Sequence, residues 1–149
     1  MSGQGISMGG GLFGSGSIPV IESVLRFSGQ RQLVLLNNVA NWNTPNFKAR
    51  DLPEGEFQRA LNQAIADRRT GASPLRMPSG RSIRRAPGGG LKVEAVEVNT
   101  GAMRHDGNTV VIDNEQTKLL KNAMTYQVFN RMLARKFRGL RTAISGRIG

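Results

Sequence analysis

His105 and Asp106 are the adjacent residues of this chain best suited to acid–base catalysis. An imidazole beside a carboxylate occurs in hydrolase active sites, but there it activates a nucleophile within hydrogen-bonding distance. No nucleophile motif accompanies this pair, and the chain contains no cysteine. His105 is also the single histidine. We therefore interpret His105 as a turn residue and predict that the protein is not an enzyme.

Four oxygen-bearing side chains in the same region suggest a calcium loop. Asp106, Asn108, Asp113 and Glu115 offer the carboxylate and amide oxygens that calcium prefers. The calcium-loop template requires glycine at its sixth position, where this chain has Val111. The template therefore fails, and the absence of cysteine excludes thiolate metal sites. We find no cofactor motif, and we predict neither a metal nor a cofactor.

A basic stretch over residues 66–90 could bind phosphate groups. It contains six arginines against one aspartate, and the whole chain has a net charge of +11. Nucleic acid or an acidic protein neighbour would suit this charge. None of the aromatic residues lies between Arg68 and Arg85, so base stacking has no support there. Nucleic-acid binding is therefore retained only as the alternative function. The preferred interpretation is an outer contact surface for protein, formed by Arg68, Arg69, Arg76, Arg81, Arg84 and Arg85.

An unusual cluster of asparagines marks the end of an apolar helical pattern. Asn37, Asn38, Asn41 and Asn43 lie within seven residues, and a Thr-Pro pair follows them. Asparagine tolerates the left-handed backbone that ends a helix, and its amide bonds to nearby main chain. Proline drives the preceding residue into an extended conformation. The segment is predicted to stop a helix and redirect the chain, but a simple cap needs only one asparagine.

Two long amphipathic helices are predicted, one near each end of the chain. The first runs from Ile18 to Asn41, where Pro19 fits a first helical turn. The second runs from Asp113 or Asn114, either of which could cap it, to Ile144. The second apolar stripe is broader than a surface helix requires, so we expect part of it to contact other subunits. The stripes comprise Ile21, Val24, Leu25, Ser28, Leu35, Leu36 and Val39, and then Leu119, Ala123, Tyr126, Leu133, Phe137, Leu140 and Ile144.

Shorter elements are predicted between the long helices. Residues 52–65 form a short helix, residues 66–90 a loop, and residues 91–98 a strand. Asp106-Gly107 is a hairpin signal, with a return strand over Thr109–Ile112. The fold class is therefore mainly α, with a small β-hairpin and irregular loops in the middle.

These elements divide the chain into four regions. A flexible Gly/Ser-rich leader (1–17) precedes the first helix and asparagine loop (18–51), a variable middle (52–112) and the last helix (113–149). The first residues lack the basic and apolar regions of a cleavable secretory signal. No apolar run approaches the ~20 residues that span a bilayer. We expect a soluble protein, or one exported without such a signal.

The asparagine stretch resembles the signature of the bacterial flagellar axial proteins, above all the rod subunits of the basal body. Their first helix ends in Asn-Ile-Ala-Asn, followed by Thr-Pro-Gly-Tyr. Here Asn38-Val39-Ala40-Asn41 and Thr44-Pro45-Asn46-Phe47 stand in those places. Lys48-Ala49-Arg50-Asp51 follows them.

A second match lies far along the chain. Asp106-Gly107-Asn108-Thr109-Val110, followed by a set of spaced residues, resembles the C-terminal segment of one short proximal-rod subunit. The other short proximal-rod subunit is the alternative within the family. The spaced residues are Asp113, Glu115, Asn122, Tyr126, Gln127, Lys136, Leu140, Ala143 and Ile144.

The resemblance implies a structural subunit of the periplasmic rod, exported through the flagellar type III apparatus. Its terminal helices would pair as an antiparallel, coiled-coil-like inner-tube domain within a helical hetero-oligomer. The implied partners are proximal and distal rod subunits, the membrane (MS) ring protein, the rod adaptor protein and the export gate. The subunit-interface or signature residues would be Asn38, Val39, Ala40, Asn41, Thr44, Pro45, Phe47, Tyr126, Leu133, Phe137, Leu140 and Ile144.

Overall fold

A computed structural model describes residues 15–69, 75–86, 91–99 and 103–146 of the chain. The fold is mainly helical, as predicted, with two small two-stranded sheets in these ranges. Most of the predicted leader and the last three residues of the predicted C-terminal region lie outside the described residues. The elements are a 3-10 turn (Ser15–Ser17), α1 (Ile18–Ala40), β1 (Arg50–Asp51), α2 (Glu54–Arg69), β2 (Ile83–Arg85), β3 (Leu91–Val93), β4 (Val96–Glu97) and α3 (Ile112–Ile144).

Helix α1 confirms the first long helix, with Asn41 as its cap rather than its last residue. Proline occupies the first turn, where its missing N–H costs no hydrogen bond. At the other end, the N–H of Asn41 donates to the carbonyl oxygens of Asn37 and Asn38, both at 3.1 Å. The predicted apolar stripe is buried over most of its length, but Leu36 is 47% exposed.

Helix α3 confirms the second long helix, but its predicted caps are wrong. Val111 precedes the helix in extended conformation, and no side chain caps it. Asp113 and Asn114 instead lie inside the first turn, where Asp113 and Glu115 favour the positive end of the helix dipole. With 33 residues against 23 in α1, α3 extends further along its axis than its partner.

The hydrophobic core lies where α1, α2 and β2 meet. Phe27 of α1 stacks on Phe57 of α2, with ring centroids 4.1 Å apart and planes inclined by 12°. Ile83 of β2 and Leu52 complete the same cluster. Phe129 of α3 packs against its edge. Such aromatic pairs contribute about 0.5–1.5 kcal/mol beyond the apolar area they bury.

Helix α2 is displaced from the predicted short helix over 52–65. It begins at Glu54 and continues to Arg69, into the stretch predicted to be a loop. Arg68 and Arg69 lie in its last turn, where the negative end of the helix dipole favours cations.

The predicted β-hairpin is wrong in its position and partners. The segment 91–98 divides into β3 and β4, which join different sheets: β3 pairs antiparallel with β2, and β4 with β1. Strand β2 lies inside the predicted loop. Gly107 does form a turn, with φ +77° and an N–H bonded to the carbonyl of Arg104. Thr109–Ile112 is not a strand, because Thr109 donates to Phe47 in the asparagine loop instead.

Within the described ranges, no helix is both long enough and apolar enough to cross a bilayer.

Candidate assembly site

Asn38 joins three parts of the chain through one buried amide. Its Nδ2 donates to the carbonyl of Arg50 (2.6 Å) and to Oε2 of Glu115 (2.7 Å). Its Oδ1 accepts from the N–H of Arg50 at 3.0 Å. The side chain thus bonds the main chain of β1 as a neighbouring strand would, and it holds the first turn of α3 at the same time. A hydrophobic residue of similar size could satisfy none of these groups.

A charged network surrounds this amide. Glu115 is fully buried, and Lys118 donates to its Oε1 at 2.7 Å. Lys118 Nζ also lies 3.7 Å from Oδ2 of Asp51. Asp51 in turn receives two hydrogen bonds from Arg31, at 2.8 and 3.0 Å, and Arg31 reaches Glu54 at 2.7 Å. Buried charge is tolerated here because every carboxylate has cationic or amide donors.

Arg31 is held in its charged form by this network. Burial acts to lower the pKa of Arg31, but the hydrogen bonds and charges of Asp51 and Glu54 outweigh it and raise the pKa above the ordinary value. A permanently charged guanidinium with two bonds to one carboxylate fixes the geometry between α1 and β1.

Asn108 ties the turn before α3 to the loop after α1. It is fully buried, and its Nδ2 lies within hydrogen-bonding distance of the carbonyl oxygens of Asn41 (3.0 Å), Trp42 (3.1 Å) and Thr44 (2.8 Å). Its Oδ1 accepts from the N–H of Val110 at 2.7 Å. We call Asn38, Asn41 and Asn108 the asparagine clamp, because Asn38 and Asn108 bond main-chain groups of distant segments and the Asn41 carbonyl is one of those that Asn108 reaches.

The remaining loop residues make local bonds. Asn41 Nδ2 donates to the carbonyl of Asn37 at 2.9 Å, and Thr44 Oγ1 donates to Oδ1 of Asn41 at 3.1 Å. Asn46 has φ +58°, a conformation that asparagine tolerates better than most residues. Its N–H donates to the carbonyl of Asp106 at 2.9 Å. The Asn46 side chain also closely approaches Gly107, so a Cβ there would collide with it.

The clamp explains two asparagines of the original cluster, while Asn37 and Asn43 have exposed side chains. Of the other predicted signature residues, Val39 and Phe47 are half-buried, whereas Ala40, Thr44 and Pro45 are exposed. Beside them, the Arg104 guanidinium lies over the exposed Trp42 ring, 5.8 Å from its centroid. Ala40, Thr44 and Pro45 therefore form an outer surface next to the buried clamp.

The side of α3 that faces α1 is polar. Asn122 Nδ2 donates to the carbonyl of Ser28 and to Oε1 of Gln32, both at 2.8 Å. Glu115 and Asn122 are the buried residues of α3, and Phe129 is half-buried. The sequence instead predicted an apolar stripe that includes Ala123 and Tyr126, and both are exposed. Spacing located the helix correctly but did not identify the residues that meet α1.

The predicted C-terminal interface residues are not fully buried against α1. Leu133 is half-buried, and the others are exposed to different degrees: Tyr126 is 43% exposed, Phe137 52%, Leu140 44% and Ile144 86%. Leu133 and Leu140 follow Asn122 by about three and five full helical turns, so they lie on the same side of α3. Apolar surface at this end of α3 thus has no partner among the described residues.

The six predicted outer arginines lie on three elements. Arg68 and Arg69 end α2, Arg76 and Arg81 lie in the following segment, and Arg84 and Arg85 belong to β2. Arg68 is half-buried and bonds to the Gly16 carbonyl, and the other five are exposed. Arg84 lies 3.8 Å from Glu94 and is therefore paired with an acid.

Several residues that organise the site were not predicted as site residues. Arg31, Asp51 and Lys118 belong to the charged network, and Glu115, Asn122 and Asn108 supply buried polar contacts. The spacing of Glu115 and Lys118 at i, i+3 was the available signal for one ion pair. His105 is exposed. No cluster of three or more His, Cys, Asp or Glu side chains that could hold a metal occurs in the described part of the chain.

Known proteins resemble this chain over most of its length, although no family model matches it. The flagellar basal body rod protein FlgB of Proteus mirabilis is 33% identical over 71% of this chain and 77% of its own length. FlgB of Aeromonas hydrophila is 32% identical over 84% of this chain and 89% of its own length. FlgB of Cereibacter sphaeroides is 35% identical over 78% of this chain and 84% of its own length.

The chain belongs to the FlgB family. This confirms the rod-protein resemblance and favours FlgB over the other short proximal-rod subunit. FlgB of Bacillus subtilis matches 89% of the chain, so the similarity includes most of both long helices.

Replacing Asn108 by alanine is expected to lower the free energy of unfolding by about 3 kcal/mol. The change removes bonds worth about 1 kcal/mol each and leaves buried carbonyl groups without a donor. Urea unfolding of the purified chain measures the difference. Asn43→Ala is the control, because the Asn43 side chain is exposed, and we expect less than about 0.5 kcal/mol. Equal unfolding midpoints for the two variants would contradict the role of Asn108.

Proposed function

We propose that this FlgB-family chain is a structural subunit of the proximal rod of the bacterial flagellar basal body. It assembles with other rod proteins into the drive shaft that joins the MS ring to the distal rod and hook. The observation that carries this proposal is exposed apolar surface on both long helices. Leu33 is 70% exposed on α1, and Leu120, Met124 and Val128 are 60%, 56% and 54% exposed on α3. Such surface favours burial against neighbouring subunits.

The long helices would form an antiparallel, coiled-coil-like pair within an axial inner-tube domain. In support, Asn38 near the end of α1 contacts Glu115 near the start of α3, while the earlier Ser28 contacts the later Asn122. This order of contacts is what oppositely directed helices produce. The clamp would then hold their shared end closed.

The domain arrangement is also part of the proposal. The helical regions 18–51 and 113–149 would line the tube, and the middle region 52–112 would lie outside it. The six outer arginines would contact a surrounding ring or an adjacent subunit. Their charges would determine the position in which the two proteins bind more than the affinity of binding.

The same reasoning gives the proposed partners and location. The subunit would contact proximal and distal rod proteins, the MS-ring protein and the rod adaptor protein. It would reach the periplasmic rod through the flagellar export gate. The resemblance to axial proteins supports this route.

Deletion of the gene tests the proposal most directly. We expect cells without rods or motility, with both restored by the intact gene. Basal bodies with complete rods in the deletion strain would overturn the proposal.

Changing the six outer arginines to serine is expected to reduce incorporation of the subunit into rods about tenfold or more. Loss of charge complementarity at an interface has effects of this order. Quantitative immunoblots of purified basal bodies provide the measurement. Filter binding with duplex and single-stranded DNA at physiological salt tests the alternative function. We expect no tight binding by either protein.

The control changes Arg50 and Arg59, which are exposed on β1 and α2, to serine. Normal incorporation of the six-arginine variant would contradict an outer contact surface. DNA binding that disappears in this variant, with motility intact, would favour the alternative function.

A further inference from the structure

One face of α3 lies away from α1 and consists of an apolar half followed by a basic half. Its first half carries Leu120, Met124 and Val128, each more than half exposed. Its second half carries Arg131, Arg135 and Arg138, all exposed. At about 100° per residue, all six side chains fall within an arc of about 80°, roughly opposite Asn122. We call these six residues the outer face of α3.

The outer face extends about 27 Å along the helix from Leu120 to Arg138. Ridges spaced at i, i+4 and i+8, as in Leu120, Met124 and Val128, fit the groove of another helix. Scattered apolar side chains on a surface need no explanation, but three successive ridge positions form a continuous patch.

The arginines of this face have no partner of their own. None of the ion pairs among the described residues involves Arg131, Arg135 or Arg138. The carboxylate that shares their side of α3 is Asp113, at the far end of the helix. Three neighbouring positive charges therefore repel one another until an acidic partner approaches.

We propose that the outer face of α3 binds an amphipathic, acidic helix of a different protein. The proposal rests on the proposed function, because it concerns a neighbour in the rod. The partner helix presents apolar side chains to Leu120, Met124 and Val128. It presents Asp or Glu side chains to the arginines, and these carboxylates lie together at one of its ends.

A second copy of this chain fits the face poorly. Each copy has a net charge of +11, so like charges oppose their approach. If two outer faces met, each copy would offer one carboxylate, Asp113, for three guanidinium groups. Charge complementarity therefore selects a different, acidic partner.

Site-specific photo-crosslinking tests the identity of the partner. The full chain is produced in cells with p-benzoylphenylalanine replacing Met124, basal bodies are purified and irradiated, and adducts are sequenced by mass spectrometry. We expect an adduct to an acidic helical segment of another basal-body protein. An adduct to a second copy, or no adduct from assembled protein, would overturn the inference.

Charge reversal tests the arginines independently. Arg131→Glu/Arg135→Glu/Arg138→Glu is expected to reduce incorporation into basal bodies at least about tenfold. The control, Arg50→Glu/Arg59→Glu, reverses two exposed cations on β1 and α2 and is expected to reduce incorporation less than about twofold. Equal thermal midpoints of the two purified variants would show that folding is not the cause.

The outcomes separate the two proposals. If purified basal bodies lack this chain altogether, the proposed rod function fails. If they contain the chain and the charge-reversed variant and its control incorporate equally, the rod function stands and the acidic partner is refuted. An Arg or Lys substitution in the crosslinked acidic segment could restore incorporation of the charge-reversed variant. Such a restoration would support direct pairing between this segment and residues 131, 135 and 138.

Discussion

Phe137→Ala is expected to abolish rod assembly while lowering the free energy of unfolding by only about 2 kcal/mol. A buried phenylalanine typically costs about 3–5 kcal/mol when replaced by alanine, but Phe137 is 52% exposed in the single chain. Most of its apolar surface therefore becomes buried only if a neighbouring subunit covers it. The substitution therefore destabilises the contact between subunits more than the folded chain. The same loss occurs at every copy of the subunit in the rod.

Two measurements separate these effects. Urea unfolding of the purified variant reports the intramolecular cost. Basal-body yield and motility report assembly, and subunit in the culture medium shows whether export continues. Gln127→Ala, at another exposed position of α3, is the control and should remain motile. Normal motility with Phe137→Ala would show that this face is not a required contact. A loss of several kcal/mol in the purified chain would instead place Phe137 in an intramolecular core.

Glu115→Ala is expected to lower the free energy of unfolding by about 3–5 kcal/mol. Removing one member of a buried ionic network leaves the others without compensation. Asn38 would lose one of its acceptors, and Lys118 would lose its closest carboxylate, at 2.7 Å. The separation of α1 from α3 at the clamp end should follow, because Glu115 joins these two helices directly.

Asp113→Ala supplies the matched control for Glu115→Ala. Both acids lie in the first turn of α3, but Asp113 is exposed and Glu115 is buried. The control loses only its interaction with the helix dipole, about 0.3–1 kcal/mol. Glu115→Gln should fall between them, since its amide oxygen can still accept from Asn38. Similar unfolding midpoints for Glu115→Ala and Asp113→Ala would mean that the buried network contributes little.

The long helices were largely determined by the sequence. Periodic apolar residues, Pro19 at the start and asparagine at the end placed α1 within one residue of its observed bounds. The same periodicity located α3. These features are local, because helical hydrogen bonds and side-chain spacing depend on residues within four positions of each other. The signature motifs likewise pointed to the FlgB family without reference to contacts.

Tertiary structure alone decided the strands. Residues 91–98 have a strand pattern, but their partners are Ile83–Arg85 and Arg50–Asp51 rather than the residues after Gly107. A strand is completed by hydrogen bonds to another segment, and a local pattern does not specify which segment supplies them. Thr109 shows the result: its N–H bonds to Phe47, so the expected return strand does not form.

The site divides in the same way. The sequence showed that the asparagines were more than one helix cap requires, and that α3 had excess apolar surface. It did not show that Asn38 bonds both β1 and Glu115, or that Asn108 reaches three carbonyl groups after α1. These amides satisfy groups brought together from 12 to 77 residues away along the chain. Residue type gives the capacity to form such bonds, but only the folded arrangement of the main chain determines which groups need them.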